Sequence, residues 1–284
     1  MDFQTIISPG QLAGSLDSSD LVILDCRFDL KAPDAGRLAW LEGHIPGAVY
    51  ADLDRDLSGP VGPETGRHPL PDTEAINDRF SAFGIAPGAQ VVCYDQASGA
   101  IAARAWWLLR WLGHDRVAIL DGGYAGWLAR GGPERGGEEA NERASFRGQP
   151  ADGRVLTLAE LLGAPDGISS LRLLDARENT RFRGEEEPID TVAGHIPGAT
   201  SLHFARTLDE NGVMKGPDEL RSVFLEALQG DLDAPWAVMC GSGVTACQLA
   251  VAAAHAGIRA PRLYPGSFSE WIRDPDRPVG TAPG

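Results

Sequence analysis

The sequence predicts an α/β protein of two tandem domains, each a mostly parallel sheet with helices on both faces. Three observations predict it: an internal repeat, short apolar runs alternating with helical stretches, and a polar, glycine-rich segment between the halves. LVILDCR at 21 to 27 returns as LRLLDAR at 171 to 177, and GHIPGA at 43 to 48 returns letter for letter at 194 to 199. LDGGYAGW at 120 to 127 matches YPGSFSEW at 264 to 271. Three matches in one order, each displaced by about 144 to 151 positions, mark two copies of one fold.

Along the first copy, LVILD, AQVVCYD and RVAIL are short apolar, β-branched runs of the kind that form buried strands. Between and around them TEAINDRFSAFG and AIAARAWWLLRWLG carry helical patterning. The second copy repeats the alternation, with LRLLD, WAVMC and RLY as strands and DELRSVFLEALQG and ACQLAVAAAHAG as helices. Strands alternating with helices imply parallel pairing, because a parallel crossover needs a helix-length connection. The stretch GGPERGGEEANERASFRGQPADGR is rich in Gly, Pro and charge without apolar periodicity, and reads as an exposed linker. The expected boundaries are a first domain at 1 to 135, a linker at 136 to 153 and a second domain at 154 to 284.

Composition narrows the function classes. The chain has 284 residues, 43% of them hydrophobic, enough for two ordinary cores. With 40 acidic residues against 25 basic, the net charge of −15 repels nucleic acid and anionic lipid, so neither is expected as a partner. No apolar run approaches the roughly 18 residues of a membrane span, and MDFQTIISPG lacks a secretory signal pattern, which makes the cytoplasm the expected location. Four cysteines, Cys26, Cys93, Cys240 and Cys247, are too scattered for a disulfide framework, and no Cys/His spacing suggests zinc. Neither metal nor cofactor is expected.

The repeat supplies an internal control, since features present in both halves belong to the fold and features of one half are candidates for chemistry. His44 and His195 in the two GHIPGA copies, and the pairs Asp25/Arg27 and Asp175/Arg177, are therefore read as structural. The strand that ends in Asp95 in one copy ends in Cys240 in the other. After Cys240 come Gly241, Ser242, Gly243, Val244 and Thr245, and then an Ala-rich helix. Glycines let successive N–H groups curl inward, and a helix N-terminus adds partial positive charge, so this loop is expected to cradle an anion. A thiol so placed is expected to have a lowered pKa and to serve as a nucleophile. Cys26, Cys93 and Cys247 are read as inert packing residues.

Paired GHIPGA signatures, the DAR strand end and CGSGVTA leading into a helix resemble the tandem-domain rhodaneses, and more closely their 3-mercaptopyruvate sulfurtransferase-like branch. The resemblance covers nearly the whole chain and implies a catalytically silent first domain, with Asp95 at the cysteine position. It implies a persulfide on Cys240 and an anion cradle from the backbone of Gly241 to Thr245. It also matches Arg181 to the arginine that holds the donor's anionic group, and Ser242, His68 in RHPLP and Asp54 in ADLD to a catalytic relay. The partners it implies are a small anionic sulfur donor and a thiol or cyanide acceptor, thioredoxin-like proteins among the thiols. One departure stands out: where the branch carries a second arginine in an EPRD-like string, this chain has EPID, with Ile189.

Other classes are weighed on the same residues. Thiosulfate:cyanide sulfur transfer uses the same cysteine, but thiosulfate-type rhodaneses place basic residues directly after it, and Gly-Ser-Gly has none. Phosphatases related to this fold place arginine after five loop residues, where this chain has Ala246. A non-catalytic sulfur-carrier or binding module would form stable complexes without turnover.

Overall fold

The computed structural model describes residues 2 to 163 and 171 to 281. In the first half the strands are β1 (Ile6–Ile7), β2 (Leu21–Asp25), β3 (Ala48–Tyr50), β4 (Gln90–Tyr94) and β5 (Val117–Leu120). They form one sheet in the order β1-β5-β4-β2-β3, parallel throughout. In the second half β6 (Arg172–Asp175), β7 (Thr200–Ser201), β8 (Trp236–Met239) and β9 (Arg262–Leu263) form a parallel sheet in the order β7-β6-β8-β9. The longer strands coincide with the apolar runs of the sequence. The short edge strands β1, β3 and β7 do not announce themselves, because two or three residues carry no periodicity.

Both central strands, β4 and β8, are buried along their whole length, as a sheet covered on two faces requires. Helix Ala102–Trp111 follows β4, and eight of its side chains are apolar and buried, Trp106 and Trp107 among them. Helix Ala246–His255 follows β8 in the same way and is buried from Ala246 to Ala253. Its small side chains let it lie close to the sheet, which fixes its N-terminus beside the end of β8.

The chain divides into two compact units that do not follow the repeat boundary strictly. One comprises Met1–Gly59, Leu70–Ala151 and Glu210–Met214, and the other Pro60–Pro69, Asp152–Asp209 and Lys215–Gly284. Residues 60 to 69 thus belong to the unit of Cys240, and residues 210 to 214 to the other. The first segment is pinned by the Arg67 amide on Ser269 Oγ (3.1 Å) and by Arg273 on the Thr65 carbonyl (3.1 Å). A Cβ on Gly66 would collide with the Gly266 carbonyl, so this approach requires glycine. The second is held by the Met214 amide on Asp121 Oδ1 (2.9 Å).

The polar stretch between the copies is not a free connector up to residue 151. It runs along the first unit, with the Ala144 amide on the Ser81 carbonyl (2.9 Å), Gly148 on Asn77 Oδ1 (2.8 Å) and Ala151 on the Trp111 carbonyl (2.8 Å). Phe146 is buried against Phe80 in an edge-to-face contact. Its hydrogen bonds go to carbonyls and side chains of the helices Thr73–Ala82 and Ala102–Trp111, so it shows neither helical nor strand periodicity.

Candidate active site

The strand ends that differ between the copies are built alike. In the first unit the Asp95 carboxylate accepts from the amides of Ala97 (3.1 Å), Gly99 (2.9 Å), Ile101 (2.8 Å) and Ala102 (3.2 Å). Four N–H donors therefore converge on one anion at a helix start, with Gly99 at φ 77° to let the loop curl. In the second unit Gly243 takes the same role at φ 75°, and a Cβ there would strike the Pro265 carbonyl. Cys240 occupies the place of Asp95 and is 2% exposed. Its carbonyl accepts from Phe268 (3.0 Å), as that of Asp95 accepts from Tyr124 (2.9 Å).

The Cys240 amide donates to Ser267 Oγ (3.1 Å), which in turn donates to the Tyr264 carbonyl (2.9 Å). Ser267 holds φ at 54°, where its counterpart Gly123 has 57°. A left-handed serine is backbone strain beside Cys240, kept by the hydroxyl's two hydrogen bonds. Ser267→Ala keeps the strain and strands a buried N–H, so it should lower unfolding free energy by about 1 to 3 kcal/mol. Ser267→Gly relieves the strain and should cost less, as urea unfolding of the two variants would show.

The shared features are structural. Arg27 and Arg177 each grip the aspartate two residues earlier through Nε and Nη2, reach a glycine carbonyl (Gly43 at 2.6 Å, Gly194 at 2.8 Å) and lie over an aromatic ring. His44 Nδ1 is 2.7 Å from the Trp40 carbonyl, and His195 Nδ1 is 2.8 Å from that of Phe182. The remaining cysteines are packed away. The hydrogen bond with Cys93 and complete burial push the Cys26 thiol well above its usual range, and Cys247 Sγ faces the Gly243 carbonyl at 3.4 Å.

Around the Cys240 loop the second unit brings together His68, Ser242, Arg181 and three residues that sequence reasoning passed over: Arg67, Glu187 and Asp190. His68 Nδ1 lies 2.7 Å from Ser242 Oγ, both buried. Arg181 gives Nε and Nη2 to Glu187 Oε1 (3.0 and 2.8 Å), and Nη2 also to Asp190 Oδ2 (3.0 Å). Asp190 Oδ1 takes Nη1 of Arg67. Burial works to raise the Glu187 carboxyl, yet hydrogen bonds from Arg181 and from the amides of Asp190 and Ile189 hold it below the usual range. A Cβ built on Gly241 would stand 2.8 Å from Arg67 Nη2 and 3.7 Å from Arg181 Nη2, so both guanidinia border the loop. Asp54, the third member of the expected relay, belongs to the other unit, where its amide donates to Asp52 Oδ1 (2.9 Å). Burial, and next the Asp52 charge, raise its pKa. Ala246, where a phosphate-binding arginine would stand, is fully buried at the helix start.

A family model described as "Rhodanese-like domain" matches residues 8–130 and again 157–274. The chain belongs to the rhodanese family. Its tandem rhodanese-like domains are the two parallel α/β sheets described above. At 49% identity over 99% of both chains, it is similar to a probable 3-mercaptopyruvate sulfurtransferase of Pseudomonas aeruginosa. It is 32% identical to the thiosulfate sulfurtransferase of Rattus norvegicus, over 95% of this chain and 93% of that one. Among solved structures, the 3-mercaptopyruvate sulfurtransferase from Leishmania major superposes with a TM-score of 0.84 at 32% identity, covering 96% of this rhodanese and 76% of that chain. No helix among the described residues is long and apolar enough to cross a membrane.

Proposed function

We propose that this rhodanese moves sulfane sulfur from 3-mercaptopyruvate to a thiol or cyanide through a persulfide on Cys240. The Cys240 thiolate attacks the donor sulfur, the donor's carbon–sulfur bond breaks, and its electron pair leaves on the pyruvate enolate. One proton then converts the enolate to pyruvate. An acceptor thiolate or cyanide takes the outer sulfur and returns Cys240 as thiolate. The amides of Gly241 to Thr245 would hold the persulfide anion as four amides of the first unit hold Asp95.

The observation that carries the choice of donor is the 2.7 Å contact between Ser242 Oγ and His68 Nδ1, two residues from the nucleophile. An enolate leaving group needs a proton, which a hydroxyl backed by imidazole can supply, whereas sulfite leaves without one. Charge balance agrees. The two guanidinia of Arg67 and Arg181 face the two carboxylates of Glu187 and Asp190, so the cluster suits a monoanionic carboxylate better than the thiosulfate dianion.

The test is steady-state thiocyanate formation with each donor. Wild-type kcat/KM should be higher for mercaptopyruvate, and Ser242→Ala should lower kcat with mercaptopyruvate by about a hundredfold while changing the thiosulfate rate far less. A higher wild-type value for thiosulfate would overturn the donor assignment.

A further inference from the structure

The donor's carboxylate needs a guanidinium edge with two N–H groups to spare, and the two arginines beside Gly241 differ in what they have left. Arg181 spends its Nε and Nη2 on Glu187, and Nη2 also on Asp190. A protein carboxylate thus fills the side-on Nε/Nη2 edge, and with both Nη2 hydrogens taken by Glu187 and Asp190 the end-on Nη1/Nη2 edge cannot grip a second carboxylate with two bonds. Arg67 is arranged the other way round. It gives Nη1 to Asp190, while its Nε is buried without a hydrogen-bond partner. Its Nη2 points at the Cys240 loop, 2.8 Å from where a Cβ of residue 241 would be. The Nε/Nη2 fork of Arg67 is thus left without a hydrogen-bond partner next to Gly241, and a side chain at 241 would obstruct it.

The backbone that carries Arg67 is anchored for this purpose. Its amide is fixed on Ser269 Oγ, one residue beyond the Phe268 amide that holds the Cys240 carbonyl. His68, the next residue, reaches Ser242. One short segment therefore aims both its guanidinium and its imidazole at the loop of the nucleophile. The side chain of Arg67 is a quarter exposed although its Nε is buried, whereas that of Ile189 carries no charge and is 39% exposed.

We infer that Arg67 is the specificity-determining residue that binds the carboxylate of the sulfur donor through its Nε/Nη2 edge, with Asp190 holding it in place and Arg181 framing the site. The second cation that EPID lacks at Ile189 is supplied from a distant part of the chain. This assignment rests on the mercaptopyruvate reading of the site.

The experiment compares mercaptopyruvate with mercaptoacetone, which keeps the thiol and the ketone and lacks the carboxylate, in wild type, Arg67→Lys, Arg67→Gln and Arg67→Ala. The ratio of kcat/KM for mercaptopyruvate over mercaptoacetone should fall by about tenfold or more in Arg67→Ala and Arg67→Gln, mainly through KM. Arg67→Lys, with the charge but not the fork, should lie between. A purely structural role would depress both donors together and leave the ratio constant, and that result would overturn the assignment. An unchanged ratio in Arg67→Gln decides the matter should Arg67→Ala fail to fold. Failure of the functional reading looks different: wild type would then load Cys240 from thiosulfate and not turn over mercaptopyruvate at all.

Discussion

Replacing Cys240 with serine should reduce sulfur transfer by on the order of a thousandfold or more with either donor, since removing a nucleophile abolishes the covalent route rather than slowing it. The other three cysteines provide the contrast. Cys26 and Cys93 are fully buried in the unit without Cys240, and Cys247 is fully buried in its helix with its sulfur toward a carbonyl. Their serine variants should keep most of the activity, provided they fold. Mass spectrometry after donor treatment should find one added sulfur, on the peptide that contains Cys240. Sulfur on any other cysteine would refute the persulfide assignment.

Arg177→Ala should act on stability first. The Asp175–Arg177 pair is buried, its side chains 0% and 1% exposed, with bonds at 2.7 and 3.0 Å and the guanidinium over Phe268 at 4.1 Å. Removing the arginine leaves a buried carboxylate without its counter-charge, which typically costs about 3 to 5 kcal/mol. Arg27→Ala should cost a similar amount in the other unit, because Asp25 is bound in the same way. An exposed pair such as Arg206–Glu226, with side chains 43% and 68% exposed, should contribute about 0 to 1 kcal/mol. Urea unfolding of Arg177→Ala, Arg27→Ala and Arg206→Ala separates the cases, and equal midpoints would contradict the burial argument.

What could be read from the sequence was local or repeated. The strands LVILD, AQVVCYD and WAVMC declare themselves by continuous apolar runs, and Cys240 stands out because its counterpart is Asp95. The repeat also groups Arg177, His44 and His195 with the fold, and each has a twin with matching hydrogen bonds. The contacts of Arg67 were not legible. Its ion pair with Asp190 spans 123 positions, and no periodicity encodes a partner at that distance. The one available signal was its place directly before His68 in RHPLP. The engagement of Arg181 by Glu187 was hidden for another reason: an acidic run beside an arginine looks the same in sequence whether it is solvated or folded onto the guanidinium. The stretch before residue 151 could not be told from a free linker by composition, because a strap bonded to helix carbonyls and side chains is equally polar.

The exchange of segments 60 to 69 and 210 to 214 between the two units has an evolutionary consequence. A duplicated domain ordinarily leaves two copies that recombination can separate, shuffle or delete. Here each half has surrendered a piece of itself to the other's fold, so a gene cut at the repeat boundary would encode a cysteine-bearing half without Arg67 and His68. The first copy is therefore not a separable spare: it carries a loop that the fold around Cys240 uses, and deleting the copy would delete the loop with it.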